Sequence, residues 1–348
     1  MKKKASIAIG VIAGLLAIWI IIQQISLSAV LSSFRNFTIK GLLLYLGASL
    51  MVMIIFALRW QYIIRQQGYG RVPFKDVFTF RMVGYGVSFL TPFAKVGGEP
   101  VRAALLQRHN MTFKQGLSTV IIDKTLELFF NGAFFMIGGC YLLIKAVNNP
   151  LILTLSVVAI LFFAVMAFIM IQLFQGKKII HKLFRATGLY RIKRLRKHEL
   201  RLLEIDDMIG SFYKKKPGSV LVISVFSLVA WIFTFLEFKY ALAFVGITHP
   251  TFLNIFLVLS FVGIGYLFPI PMALGSLEAS QVSVFSFIKA PASSGVALAA
   301  VVRTRDLLWS LIGMAALTYY GLNVRKVLGR EGIKDDEHYP VRRHKKRI

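Results

Sequence analysis

Charged side chains stand in this chain where long apolar runs should exclude them. Asp123, Lys124 and Glu127 fall within the run 116–143, and Arg303, Arg305 and Asp306 within 295–320. Ionisable groups inside a would-be membrane span are costly and normally face a protein interior or a wet cavity, so they are candidates for holding a charged ligand. A plainer role is also open: Lys124 with Glu127, and Arg303 with Asp306, are i,i+3 pairs able to neutralise one another on one helix face. Glu99 and Glu278 occupy a different setting, just after the breaks Gly97-Gly98 and Gly275-Ser276, where a new helix is expected to begin. Pro100 suits a first helical turn and Ser276 an N-cap. The free N–H groups and positive dipole ends at such starts could hold an anion, or the two carboxylates could satisfy those N–H groups themselves. For an anionic ligand such as a phosphate, Arg81, Lys95, Arg102, Lys124, Arg303 and Arg305 are the available cations, arginine being the better suited to bidentate contact.

Other chemistries find no support. The six histidines are scattered over loops and flanks without ligand spacing, and the one cysteine, Cys140, sits in an apolar run, so neither a metal site nor a disulfide framework is expected. No phosphate-binding loop, dinucleotide fingerprint or nucleophile motif is present, and no cofactor is expected. The formal net charge is +27. Its cations sit between apolar runs rather than interleaved with aromatics, which reads as membrane topology and not as nucleic-acid binding.

The elements that must position these groups are hydrophobic. The chain is 57% hydrophobic with mean hydropathy +0.68, and its runs are long enough to cross a bilayer, which takes roughly 20 helical residues. An all-α, multi-pass integral membrane protein is expected, with about six full spans near 5–25, 40–63, 116–143, 151–174, 219–245 and 295–320. Segments 77–106 and 252–288 are broken near their centres, by Thr91-Pro92 through Gly97-Gly98 and by Pro269-Ile270-Pro271 through Gly275-Ser276. Their halves are short for spans and read as two re-entrant helix pairs.

Two stretches match without a gap at an offset of 179 residues. Gly84, Gly86, Phe89, Pro92, Ala94, Glu99 and Gly116 fall on Gly263, Gly265, Phe268, Pro271, Ala273, Glu278 and Gly295, and Lys124 and Glu127 fall on Arg303 and Asp306. The excess of cations at 2–4, around Arg59, Arg65 and Arg71, at 108–114, at 177–216 and in the tail assigns those segments and both termini to the cytoplasm. Repeat one (about 40–145) and repeat two (about 219–322) then have opposite orientation, the arrangement that underlies alternating access in transporters. Both belong to one membrane domain, 1–345, in the cell (cytoplasmic) membrane. Segment 176–217 between them, with Leu195, Leu202, Ile205, Ile209 and Phe212 on one face, reads as a basic amphipathic helix at an anionic lipid surface. The run after Lys2-Lys3-Lys4 reads as an uncleaved first span, and the tail from about 326 as disordered.

At Gly97-Gly98-Glu99-Pro100-Val101-Arg102, then Gly116, Asp123-Lys124 and Glu127, and again at Pro271 through Ala279, the chain resembles the lysylphosphatidylglycerol synthase transmembrane family, the flippase-like UPF0104 group. The resemblance covers roughly 5–322. It implies handling of phospholipid or lipid-linked head groups, as in the membrane flippase domain of multiple-peptide-resistance proteins. Glu99, Arg102, Lys124, Glu127 and Glu278 are the positions it carries over, with Lys95 and Ala279 as departures. The alternatives it raises are phosphatidylglycerol lysyltransferase activity, which no segment here is expected to supply, and service as membrane partner of a separate synthase. Membrane lipids, anionic phospholipid first, are the expected partners; a separate lipid-modifying enzyme and a second copy of the chain stay open.

Overall fold

The computed structural model describes residues 32, 38–90, 97–145, 150–192, 196, 199–268 and 270–319. Among them are eleven α-helices and no strand. The expected first span, Pro92, Lys95, Pro269 and the tail lie outside the described residues. Three helices are long and apolar enough to cross a membrane: Ile39–Gln66 (α1), Ser156–Phe174 within α5, and Pro217–Phe244 (α8). Phe113–Lys145 (α4) and Ala292–Tyr319 (α11) have the length, at 33 and 28 residues, and carry the charged side chains. α5 itself runs Pro150–Phe174.

The two broken segments are helix hairpins. Phe74–Leu90 (α2) is followed by Glu99–Leu105 (α3), which tightens into a 3-10 turn, Leu106–His109, and stops at Asn110 with φ 58°. Phe252–Leu267 (α9) is followed by a 3-10 turn at Pro271–Ala273 and by Ser276–Phe287 (α10). With seven and twelve residues, α3 and α10 are only about 10 and 18 Å long, far short of a bilayer core.

Local sequence accounts for the helix starts. The Thr38 hydroxyl accepts the Gly41 N–H at 3.1 Å to cap α1, and the Thr251 hydroxyl accepts the Asn254 N–H at 3.2 Å to cap α9. The second break is conformationally demanding: Met272, Ala273 and Gly275 all have positive φ, 58°, 51° and 78°. For the two non-glycine residues that costs on the order of 1–3 kcal/mol each, so something must hold the turn in place.

Helices cross where side chains are absent. A Cβ on Gly98 would lie 1.9 Å from the Gly84 carbonyl oxygen, and one on Gly313 would lie 2.1 Å from that of Met82. The first contact closes the α2–α3 hairpin, and the second seats α11 on α2; both need backbone-to-backbone approach. α1 packs along α8, α4 along α5, and α10 against both α9 and α11. Outward-facing Leu161, Val165, Phe168 and Ile171 on α5, and Leu221, Val225, Leu228 and Ile232 on α8, leave a wide apolar surface exposed. Such a surface suits lipid rather than water.

Between the halves, Ile179–Ala186 (α6) and Glu199–Lys215 (α7) form a basic hairpin. The Asp206 carboxylate caps α6 from α7, accepting the N–H groups of Ile180 and His181 at 3.0 and 2.8 Å. Ile205, Ile209 and Phe212 do not face lipid as their periodicity suggested. They pack with Tyr213 on Ile122, Leu126, Met170 and Ile223 of the bundle.

Candidate functional site

The first charged cluster is centred on Asp123, which is fully buried on α4. Arg59 of α1 donates from Nε to its Oδ1 at 2.8 Å and from Nη2 to its carbonyl oxygen at 3.2 Å, while Arg59 Nη1 reaches Ser227 Oγ on α8 at 3.0 Å. Arg81 of α2 and Arg102 of α3 each donate to Asp123 Oδ2 at 2.8 Å. One carboxylate therefore gathers three guanidinium groups from three helices. Glu127, one turn on, accepts from Arg81 at 3.3 Å and from Lys124 at 2.8 Å. Phe56 lies between Arg59 and Arg81, with its ring 4.6 and 4.7 Å from their guanidinium carbons, and Trp60 lies 4.0 Å from that of Arg102. These ring faces replace part of the hydration that burial removes. Ions held this way cost several kcal/mol each to desolvate, a cost that the surrounding partners offset.

The second cluster spans α8, α10 and α11. Arg303 grips Glu278 with both terminal nitrogens and donates to the Ala273 carbonyl oxygen at 3.1 Å. That bond holds the left-handed turn described above. Arg305 bridges Glu237 on α8 and Asp306 on its own helix. Asp306, fully buried, also accepts from the hydroxyls of Tyr85 on α2 and Tyr266 on α9. It thereby ties the two broken segments together.

Glu99 and Glu278 have matching local roles. Glu99 accepts the Gly97 N–H at 2.8 Å and lies 3.9 Å from Lys124 Nζ; Glu278 accepts the Gly275 N–H at 2.9 Å and lies against Arg303. Each carboxylate satisfies a free N–H at its own helix start, which leaves less of that helix end to an anion. Pro100 stands in the first turn of α3 as expected. At α10 the N-cap is Gly275 and not Ser276, whose hydroxyl instead donates to the Gly265 carbonyl oxygen at 2.8 Å.

A cavity of about 310 Å³ lies between the two halves of the chain. Arg81, Glu99, Arg102, Lys124 and Glu127 line it from one half, and Glu237 and Arg305 from the other. Apolar and aromatic side chains, among them Phe56, Phe135, Trp231 and Tyr266, make up much of the remaining wall. Most of its cations are locked in several contacts. Lys124 is the least constrained, with one close partner and three N–H donors on a flexible stem.

The structure thus brings Arg81, Glu99, Arg102, Lys124, Glu127 and Arg305 to one cavity. Glu278 and Arg303 pair behind it, at the α10 start, and Asp306 supports Arg305. Lys124 and Glu127 pair at i,i+3; Arg303 and Asp306 do not, because Glu278 and the tyrosines offer each a closer partner. Lys95 lies outside the described residues. Arg59 corrects the charge-bias reading: it is no loop cation but a fully buried side chain within α1. Glu237 escaped notice although a lone carboxylate in the apolar run 219–245 is itself a signal. Tyr85 and Tyr266 carried no sequence signal, since tyrosine is common in such helices. Among the described residues, no group of histidine, cysteine and carboxylate side chains could hold a metal ion.

Comparison with known proteins agrees with this architecture. Residues 7–313 match the family model described as the lysylphosphatidylglycerol synthase TM region. The chain is 25% identical to a UPF0104 membrane protein of Methanothermobacter thermautotrophicus over 94% of this chain and 99% of that one. It is 26% identical to a UPF0104 membrane protein of Methanocaldococcus jannaschii over 88% and 91%. No solved structure matches. With its charged cavity set among long apolar helices, this chain is a multi-pass integral membrane protein and belongs to the lysylphosphatidylglycerol synthase TM region family.

Proposed function

We propose that the chain is a flippase-like transporter that passes the head group of a phospholipid or lipid-linked molecule through this cavity. One observation carries the reading: a 310 Å³ cavity lined by charged side chains of both halves, in a protein whose outer surface is apolar. A head group bearing phosphate would meet Lys124, Arg102 and Arg305 there, and an amine on the same head group would meet Glu99, Glu127 or Glu237. The acyl chains would remain against apolar helix surfaces.

Alternating access is the companion proposal. Matching contacts support an inverted repeat with two re-entrant hairpins: Glu99 with Lys124 and Glu278 with Arg303, 179 residues apart, and Gly116 against the Ala103 backbone with Gly295 against that of Gln281, where the glycines keep that offset and the residues they meet differ from it by one. Two halves of opposite orientation can exchange roles, opening the cavity to either leaflet in turn. The cation bias supports cytoplasmic termini, and the cell membrane is the location proposed with them.

Reconstitution with fluorescent lipids tests the transport reading. Wild type is expected to move lipid and Glu99→Gln or Glu278→Gln to slow it; if none of the three differs from empty liposomes across several lipid classes, the reading fails. The family description supports a second reading, in which this membrane region serves a lysyl-lipid synthase. Lysyl-lipid made by the purified chain from charged tRNA, or copurification of a separate synthase without lipid movement by the chain alone, would favour it.

A further inference from the structure

The two sides of the cavity are closed by different means. On one side α2 and α11 meet backbone to backbone: a Cβ on Gly86 would lie 2.9 Å from the Ser310 carbonyl oxygen, and Gly313 sits on Met82 as described. On the other side α4 meets α8 and α9 through rings. Phe134 stacks on Trp231 with centroids 3.6 Å apart and planes at 7°, and its ring lies 5.5 Å from that of Phe256. Phe235 stacks on Phe252 at 4.7 Å. The glycines of this side support rings and not backbone: a Cβ on Gly263 would strike the Phe135 ring, and one on Gly138 the Phe256 ring.

These rings form a continuous path. Trp231 lines the charged cavity, Phe252 is 71% exposed on the apolar outer surface, and Phe134, Phe235 and Phe256 bridge between them. Closing α2 on α11 depends on contact between main chains, which only movement of a whole helix can undo. The ring stacks of α4, α8 and α9 can part by side-chain rotation. The faces they would expose suit methylene groups through dispersion and exclusion of water. A head group in the cavity needs such a route, because a chamber of about 310 Å³ that holds it has no room for its acyl chains as well.

We infer that this aromatic seam between α4 and α8–α9 is the lateral passage and binding site of a lipid acyl chain. The inference rests on the lipid-handling reading above, and it assigns the chain a place apart from the head group. Phe134→Leu is then expected to loosen the seam, and a bridge across it to block entry.

Photolabelling in liposomes tests it with the unaltered chain. Phosphatidylglycerol carrying a diazirine near the end of one acyl chain is mixed into phosphatidylcholine, and the labelled residues are mapped by mass spectrometry. Label on Phe134 and Trp231 is expected. Label confined to outward residues such as Phe252, Phe168 and Ile232 overturns the inference. In a Cys140→Ser background, Phe134→Cys with Trp231→Cys joined by a short bis-methanethiosulfonate, which forms one disulfide to each cysteine and releases methanesulfinate, should lose label on the neighbouring seam rings Phe235 and Phe256, and reduction should restore it; undiminished label there in the bridged protein also overturns the seam. Diazirine diacylglycerol, which lacks phosphate, separates the two proposals. Equal inner labelling by both probes overturns head-group selection and leaves the seam standing. Phosphate-dependent lipid retention without inner label overturns the seam alone.

Discussion

On α1 the buried ion is a cation, Arg59, held by Asp123 of α4; on α8 it is an anion, Glu237, held by Arg305 of α11. The two halves otherwise share their frame. Each second half-helix carries in its first turn a glutamate that accepts the N–H of a glycine ahead of the helix, Gly97 and Gly275. Each glutamate faces a cation 25 residues on, Lys124 at 3.9 Å and Arg303 in close contact. What recurs is therefore the closed helix start and the presence of a buried pair, while the sign and the tightness of the pairing differ. Opposite signs cost the fold little, because a buried ion is tolerated for having a partner and not for its own charge. In the first half Lys124 has Glu127 at 2.8 Å as its nearer partner and holds Glu99 only loosely; the bidentate grip in the second commits Arg303 to Glu278 and to the left-handed turn at Ala273.

The sharpest way to break this comparison is to remove the hub. Asp123→Ala strands Arg59, Arg81 and Arg102 without their shared carboxylate and should cost about 3–5 kcal/mol or prevent folding. Glu237→Ala leaves Arg305 with Asp306 and should cost clearly less in thermal unfolding in detergent; equal losses would mean the clusters are not organised differently. Gly313→Ala comes next. Its Cβ would meet the Met82 carbonyl, at a cost of about 1–3 kcal/mol, whereas Phe134→Leu on the opposite seam should leave the melting temperature closer to that of wild type.

The glycine contacts show what was legible beforehand. Gly84, Gly98, Gly116 and Gly295 punctuate apolar runs, and the helix breaks fell where glycine and proline interrupt hydrophobic sequence. The ionic wiring was less readable. Arg59, Arg81 and Arg102 are far apart in the chain, and spacing can pair a charge only with neighbours on its own helix. It offers Lys124 with Glu127, which do pair, and Arg303 with Asp306, which do not. Arg59 lies within reach of other cations in sequence, so charge bias counted it among them; only the packing of α1 on α4 removes it from that group.

A finer contrast separates the two cations facing the glutamates. Arg303→Lys forfeits the two-pronged contact with Glu278 and should cost about 1–2 kcal/mol, while Lys124→Arg should be nearly neutral for stability; differential scanning of the two proteins decides, and equal shifts would remove the proposed difference in tightness. The smallest effect is expected outside the apolar helices. Burial raises the Asp206 carboxyl above its ordinary range, against the backbone N–H groups of His181 and Ile180 that pull it down. The folded chain therefore binds that proton more tightly than the unfolded one, and lowering the pH through the carboxylate range should add stability at this site. Asp206→Asn, which keeps a capping oxygen, should change stability at neutral pH by only a few tenths of a kcal/mol and should lack that gain on acidification.

The central claim is that the cavity between the halves holds a lipid head group. Native mass spectrometry of the gently purified chain measures this most directly. The account predicts that wild type retains a phosphate-bearing lipid and that Lys124→Met, which keeps the fold but removes the least constrained cation, loses it. Retention of no lipid by wild type, or of the same lipid to the same extent by Lys124→Met, would contradict it.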